Sequence, residues 1–288
     1  MSTSADTQNN PAPTARRPAD AGDHGYAKNL KNRHIQMIGI GGAIGTGLFL
    51  GAGGRLEKGG PSLLISYAIC GVVAMIVVRA LGEMVVHRPS SGAFVSYSRE
   101  FIGEKAAYTA GWMHFIHWAT TIVVDCTAIA LYFHYWGFFS EHVPQWVIAA
   151  IALVVTVAIN LVGVKLFGEM EFWFSIIKVT ALLGFMALAI YFIVSGHHVG
   201  GSAPGLHNIT DHGGFFPHGL APMFMLMQGV IFAYSSMELV GVAAGEAENP
   251  LEVMPRAVNS VLWRIIVFYL GSLVLLTLLL PTDEYSST

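Results

Sequence analysis

The chain has 288 residues, of which 54% are hydrophobic and 11% charged, with a formal net charge of −3. A soluble domain carries about 25% charged residues, so this composition excludes a protein whose whole surface faces water and points to lipid as the surrounding solvent. So small a net charge also excludes the electrostatic footprint of a nucleic-acid binder or of a protein held on a membrane surface.

Residues 1–33 are polar and rich in Ala, Pro, Asn and Thr. They lack the apolar core of a cleavable signal peptide and read as a disordered cytoplasmic tail, so the first span itself is expected to act as the insertion signal. Beyond it, apolar runs near the roughly 20 residues needed to cross the hydrocarbon fall at 34–56, 61–86, 110–139, 144–166, 172–194, 221–245 and 264–280, which predicts seven helices. Arg16, Arg17, Lys28, Lys31, Arg33, Arg88, Arg99, Lys105, Lys165, Arg256 and Arg264 share the side of the N-terminus, and only Arg55 and Lys58 lie opposite. The positive-inside rule then puts the N-terminus in the cytoplasm and, after an odd number of spans, Thr288 outside.

The first span reads GIGGAIGTGLFLGAG, with Gly39, Gly41, Gly42, Gly45 and Gly47 inside nine residues. Each glycine costs a helix interior about 1 kcal/mol relative to alanine, so unwinding is expected there. In hydrocarbon such a break is tolerated only beside a cavity. It frees carbonyls around Ala43 and starts a new half-helix at Thr46 and Gly47, whose amides and dipole suit a carboxylate. The competing reading is close helix packing through Gly41 with Gly45 and Gly47 with Gly51.

Cys70 and Cys126 fall inside expected helices and read as small buried side chains, not as a disulfide. Four ionisable groups, Arg79, Asp125, Lys178 and Glu238, also fall inside spans. A charge at a helix centre costs about 2.5 to 3.5 kcal/mol on insertion scales, so each needs a partner, a cavity or a neutral state. Arg79 and Glu83 are spaced to pair. Asp125 faces either a cavity or a neighbouring helix. Lys178 has no carboxylate three or four residues away on its helix. It is either a proton carrier, since burial favours the neutral amine, or a side chain that snorkels to an interface.

Residues 196–219 form a polar external loop with His197, His198, His207, His212 and His218, but without tight ligand spacing or cysteine, so no metal site is expected. Asn208-Ile209-Thr210 matches a glycosylation acceptor. The sixth span then reads QGVIFAYSSMELVGVAAGE, where Ser235, Ser236, Glu238, Gly241 and Gly245 interrupt the apolar run. Paired interruptions in two halves of a membrane protein point to a binding site at the bilayer midplane. Glu238 serves either proton coupling or capping of the second half-helix. No nucleophile elbow, metal-binding helix or phosphate loop occurs, so no enzyme is expected. A retinal pigment, suggested by the span count alone, would need a lysine in the last span, which has none.

The blocks IGIGGAIGTGLFLGAG, RALGEMVVHRPSSGAFVSYSREFIGEKAAYTAGWM, VDCTAIALYFHYW, GEMEFWFSIIKV, DHGGFFPHG, FAYSSMELVGVAAGE and NPLEVMPRAVNSVLWRI resemble the bacterial amino-acid transporter branch of the amino acid–polyamine–organocation superfamily. The resemblance implies an all-α membrane protein of two inverted five-helix repeats with broken first and sixth helices. It implies a permease region over 34–288, with a first repeat at 34–195 and an incomplete second at 221–280. The implied activity is symport of an amino acid, asparagine or a related neutral one, with a proton and no other cofactor, across the cell membrane. The implied substrate-binding residues are Ala43, Gly45, Thr46, Gly47, Phe232 and Ser235, with Asp125 added from its position. Phe232 and Tyr234 match the gate; Lys178 and Glu238 match proton-coupling positions. Similar proteins run through about twelve spans, so this chain is expected to be a truncated permease, with a non-transporting binding or regulatory fragment as the alternative.

Overall fold

The computed structural model describes residues 37, 41–42, 44–88, 90, 92–162, 164–241 and 250–285, so the expected tail and Ala43 lie outside the described residues. All the regular elements among these residues are helices. The C-terminal half of the first span is helical over Thr46–Phe49 and Gly51–Gly59. At Gly60 the backbone takes φ 63°, a left-handed value that glycine adopts without a Cβ clash, and the chain turns into the second span, Leu63–His87.

The second span shows how an all-round apolar helix still has an inside. Leu63, Ser66, Tyr67, Cys70, Gly71, Val78, Leu81, Gly82 and Val85 are buried at helical spacing, while Val72, Val73, Ile76 and Val77 are exposed. The small or weakly polar residues Ser66, Cys70, Gly71 and Gly82 face the protein, together with Leu63, Val78, Leu81 and Val85, while the exposed face is mostly branched apolar. Arg79 and Glu83 pair at 3.3 Å as their spacing predicts, both largely exposed.

The third span runs Glu104–His134, earlier than the expected 110–139, because charged Glu104 and Lys105 are accommodated in its first turn; a separate short helix, Gly137–His142, follows. The fourth is Gln145–Val162 and the fifth Val164–Ser195. The region expected as the sixth comprises two short helices, Ala221–Met225 and Met227–Ala233. Among the described residues Thr46–His87, Glu104–His134, Gly168–Ser195 and Met254–Leu279 are long and apolar enough to cross a membrane, and Gln145–Leu161 and Ala221–Ala233 are shorter. The seventh is longer than expected: Pro250–Arg264, a π-helical segment Ile265–Gly271, and Ser272–Leu279. Arg264, expected at the membrane face, is therefore inside the protein at 3% exposure, donating to the Ala257 and Ser260 carbonyls at 3.0 and 3.2 Å. The helix packs along the second span, which shields its polar face from lipid.

The loop after the fifth span buries Asn208 to 1% exposure, its amide nitrogen donating to the Leu278 carbonyl at 3.0 Å and the Ala203 carbonyl at 3.2 Å. That corrects the glycosylation reading, since the acceptor nitrogen is occupied in the core. His212 lies 3.5 Å from Asp283.

The main core joins the first, second, sixth and seventh spans. Tyr67, Tyr234 and Tyr269 stack there with ring centroids 4.6 to 6.1 Å apart. Their hydroxyls do polar work as well: Tyr234 donates to the Tyr67 carbonyl at 2.9 Å and Tyr269 to the Ala233 carbonyl at 2.7 Å. The third and fifth spans are only 17% and 11% buried over their most apolar windows, against 44% for the stretches holding the second and seventh, so they form an outer arm. Both reach back to the first span through polar side chains.

Candidate functional site

Ile44 and Gly45 are non-helical, with Gly45 extended at φ −134° and ψ −170°. Helix resumes at Thr46, and the Leu48 and Phe49 amides bond back to the Gly45 carbonyl at 3.0 and 3.1 Å. Thr46 and Gly47 are thus the first helical positions, whose amides have no preceding carbonyl in the helix to meet. The sixth span ends its regular helix at Ala233 and passes through a run of turns over residues 234–238. There Ser235, Leu239, Val240 and Gly241 each bond to the carbonyl three residues earlier, and Ser236 has φ 79°.

The two irregular segments meet closely. A Cβ on Gly47 would lie 2.6 Å from the Ala233 Cα, so this glycine does permit a close helix approach, here against the sixth span. Arg55, expected only as an outward charge, turns inward and donates to the Gly47 carbonyl at 2.6 Å and to the Tyr67 hydroxyl at 2.9 Å.

Beside this crossing is a cavity of about 270 Å³. Gly45, Thr46, Gly47, Phe232 and Ser235 line it, as do Asp125 and Lys178 from the outer arm. Both alternatives for Asp125 hold: it lines the cavity and accepts from the Thr46 hydroxyl of the first span at 2.8 Å. Lys178 does not snorkel. Its ammonium donates to the Gly41 carbonyl at 2.9 Å and lies 3.6 Å from Glu171.

Lys178 has no carboxylate three or four residues away, but it meets Glu171 on the same helix. The two are seven residues apart, two turns along one face, and long side chains close the gap. Ser175 completes the stripe, donating to the Met37 carbonyl at 3.0 Å and to Glu171 at 3.3 Å. The period 171, 175, 178 was present in the sequence. Trp118 and Thr121 also line the cavity, and only their helical spacing with Asp125 announces them.

Two expected residues lie elsewhere. Tyr234 is 5% exposed within the tyrosine stack and forms no part of the cavity wall. Glu238 lines a different cleft, an apolar groove of about 950 Å³ that it shares with His114 and His117 of the third span. Phe232 and Ser235 border both spaces, placing them at the partition.

The cavity is therefore lined by the helix-start residues Thr46 and Gly47 of the first span and by the hydroxyl and carboxylate groups of Ser235, Asp125 and Glu171. A zwitterion of modest size fits that division of charge.

Comparison with known proteins agrees with this chemistry. The chain matches the amino acid permease family model over residues 34–288. It is 60% identical over 276 residues to an L-asparagine permease of Streptomyces coelicolor, covering 96% of this chain and 56% of that protein. L-asparagine permeases of Salmonella typhimurium and Escherichia coli are 58% and 57% identical over 272 residues, each covering 94% of this chain and 54% of the relative. The chain thus spans about half the length of the curated relatives it matches. On both the family match and these identities, the chain belongs to the amino acid permease family, as an all-α integral membrane protein.

Proposed function

We propose that this chain takes part in moving an α-amino acid, asparagine foremost, across the cell membrane together with a proton, its N-terminus on the cytoplasmic side. The observation that carries the reading is the cavity between the two irregular segments, with the Thr46 and Gly47 amides opposite the oxygen atoms of the sixth span. The substrate carboxylate lies against those amides, where the half-helix dipole and the N–H groups favour an anion. The ammonium group lies against the carbonyl of Phe232, with the Ser235 hydroxyl and Asp125 as further acceptors. Phe232, at the partition between cavity and groove, serves as the gate.

Lys178 is the proton carrier in this scheme. While charged, it holds the Gly41 carbonyl and pairs with Glu171; a neutral amine loses the ion pair and loosens the inner end of the break. Glu238 acts separately, from the groove side, where a proton can reach it without passing the substrate.

The test is uptake of labelled asparagine into proteoliposomes. An inward proton gradient is expected to drive accumulation that collapses when the gradient is removed. Because the chain spans about half of its relatives, a second reading is kept: a fragment that binds amino acid without moving it, in association with a full permease. Saturable binding with no gradient-driven uptake would favour that reading. Absence of both binding and uptake would overturn the two together.

A further inference from the structure

We infer that Trp118 is a specificity-determining residue of this cavity, its indole N–H the donor for a substrate side chain that ends in a neutral hydrogen-bond acceptor, as a carboxamide does. The inference deepens the amino-acid reading above and rests on it. Trp118 lines the cavity from the third span, on one stripe with Thr121 and Asp125 at i, i+3 and i+7. Its Nε1 is buried and has no hydrogen-bond partner among the described residues. An indole nitrogen can only donate, and buried donors in native proteins are paired with few exceptions, each of which calls for a cause.

The neighbouring polar side chains bond one another or the backbone, and none of them meets the indole nitrogen among the described residues. The Thr121 hydroxyl donates to the His117 carbonyl at 2.8 Å, and the Thr46 hydroxyl to Asp125 at 2.8 Å. The ring's direction is held by edge contacts with His114 and His117, at centroid distances of 6.1 and 5.5 Å and angles of 76° and 79°. The ring is thus held at the cavity wall with its N–H unpaired among the described residues, and in this proposal the acceptor arrives with the ligand.

Backbone groups of the two breaks recognise what every α-amino acid shares, its carboxylate and ammonium. Selectivity has to come from the walls. Leucine has nearly the shape of asparagine but no acceptor, so it leaves the indole donor unmet, and a site built to hydrogen-bond discriminates strongly against such an isostere. Aspartate supplies an acceptor but brings a second negative charge into a cavity that already holds Asp125 and Glu171, with Glu171 alone paired to Lys178. A neutral acceptor satisfies both conditions.

The test compares the full chain with a Trp118→Phe variant in equilibrium binding of labelled asparagine, with alanine, leucine and aspartate as competitors. Wild type is expected to prefer asparagine over leucine, and the variant to lose about tenfold of that preference while its affinity for alanine is unchanged. An unchanged asparagine-to-leucine ratio in the variant overturns the inference and leaves the amino-acid reading intact. If wild type binds none of the four, the underlying reading fails and takes this one with it. Should the variant fail to fold, the wild-type protein with ¹⁵N-labelled indoles decides: one buried indole N–H resonance shifts on adding asparagine and stays put with leucine, and no such difference overturns the assignment.

Discussion

The two irregular segments that meet at the cavity are built on opposite principles. At the first, backbone dihedrals are ordinary for any residue: Gly45 is extended, and the glycine at 47 is required by contact, since the Ala233 backbone occupies the space of a side chain. At the second there is no glycine between Phe232 and Val240, and Ser236 takes the left-handed conformation at φ 79°. For an L-residue that region costs about 1 to 2 kcal/mol. Neighbours hold the segment in place: Tyr269 bonds the Ala233 carbonyl, and Tyr234 is locked in the tyrosine stack. One break is therefore a matter of close approach and the other of imposed conformation, so glycine count alone is a poor guide to where a membrane helix opens.

This contrast can be sharpened by substitution. The largest effect is expected at Thr46→Pro. Proline is tolerated at the first helical position, so the fold should survive, but an amide donor and the hydroxyl to Asp125 are lost. Loss of a hydrogen bond to a charged group, about 1.5 to 3 kcal/mol, should weaken asparagine binding roughly 10- to 100-fold by equilibrium measurement. Thr46→Val, which removes the hydroxyl alone, should lose much less. Next comes Gly47→Ala, expected to cost about 1 to 3 kcal/mol of stability through overpacking against Ala233 and to lower the thermal midpoint in detergent. Gly45→Ala is the control, because among the described residues nothing lies within 4 Å of its would-be Cβ; its midpoint should stay near wild type. Equal losses at 45 and 47 would break the distinction between the two glycines.

At the sixth span the effects are smaller. Tyr269→Phe should cost about 1 kcal/mol by removing the bond to the Ala233 carbonyl, measurable by denaturant unfolding. Ser236→Gly should do the reverse, raising stability by up to about 1 kcal/mol as left-handed strain is relieved. A destabilising Ser236→Gly would show that the serine side chain, rather than the backbone, holds the turn.

Much of the site was legible before any coordinates. Gly45, Thr46, Gly47, Asp125, Lys178 and Ser235 stand out as glycines or polar interruptions in apolar runs, Phe232 is implied only by the family resemblance, and all seven line one cavity. The misses have separate physical causes. Glu171 escaped because pairing was sought within one helical turn, whereas Lys178 and Glu171 span two. That Tyr234 and Glu238 border the groove rather than the cavity is not legible in the sequence, because in a run of turns side-chain direction has no period to follow. Arg264 read as a membrane-face charge because the polar stretch before it looked like a loop; its helix in fact begins at Pro250, sheltered by the second span.

The central claim is that one molecule is gripped by both breaks at once, through its carboxylate at the first and its ammonium at the second. Competition against labelled asparagine tests it directly, using asparagine amidated at its α-carboxylate and asparagine acetylated at its α-amine. The account predicts that unmodified asparagine displaces the label while neither blocked analogue does so at comparable concentration. Displacement by the amidated analogue as effective as by asparagine itself would show that the Thr46 and Gly47 amides do not hold the carboxylate and would contradict the account.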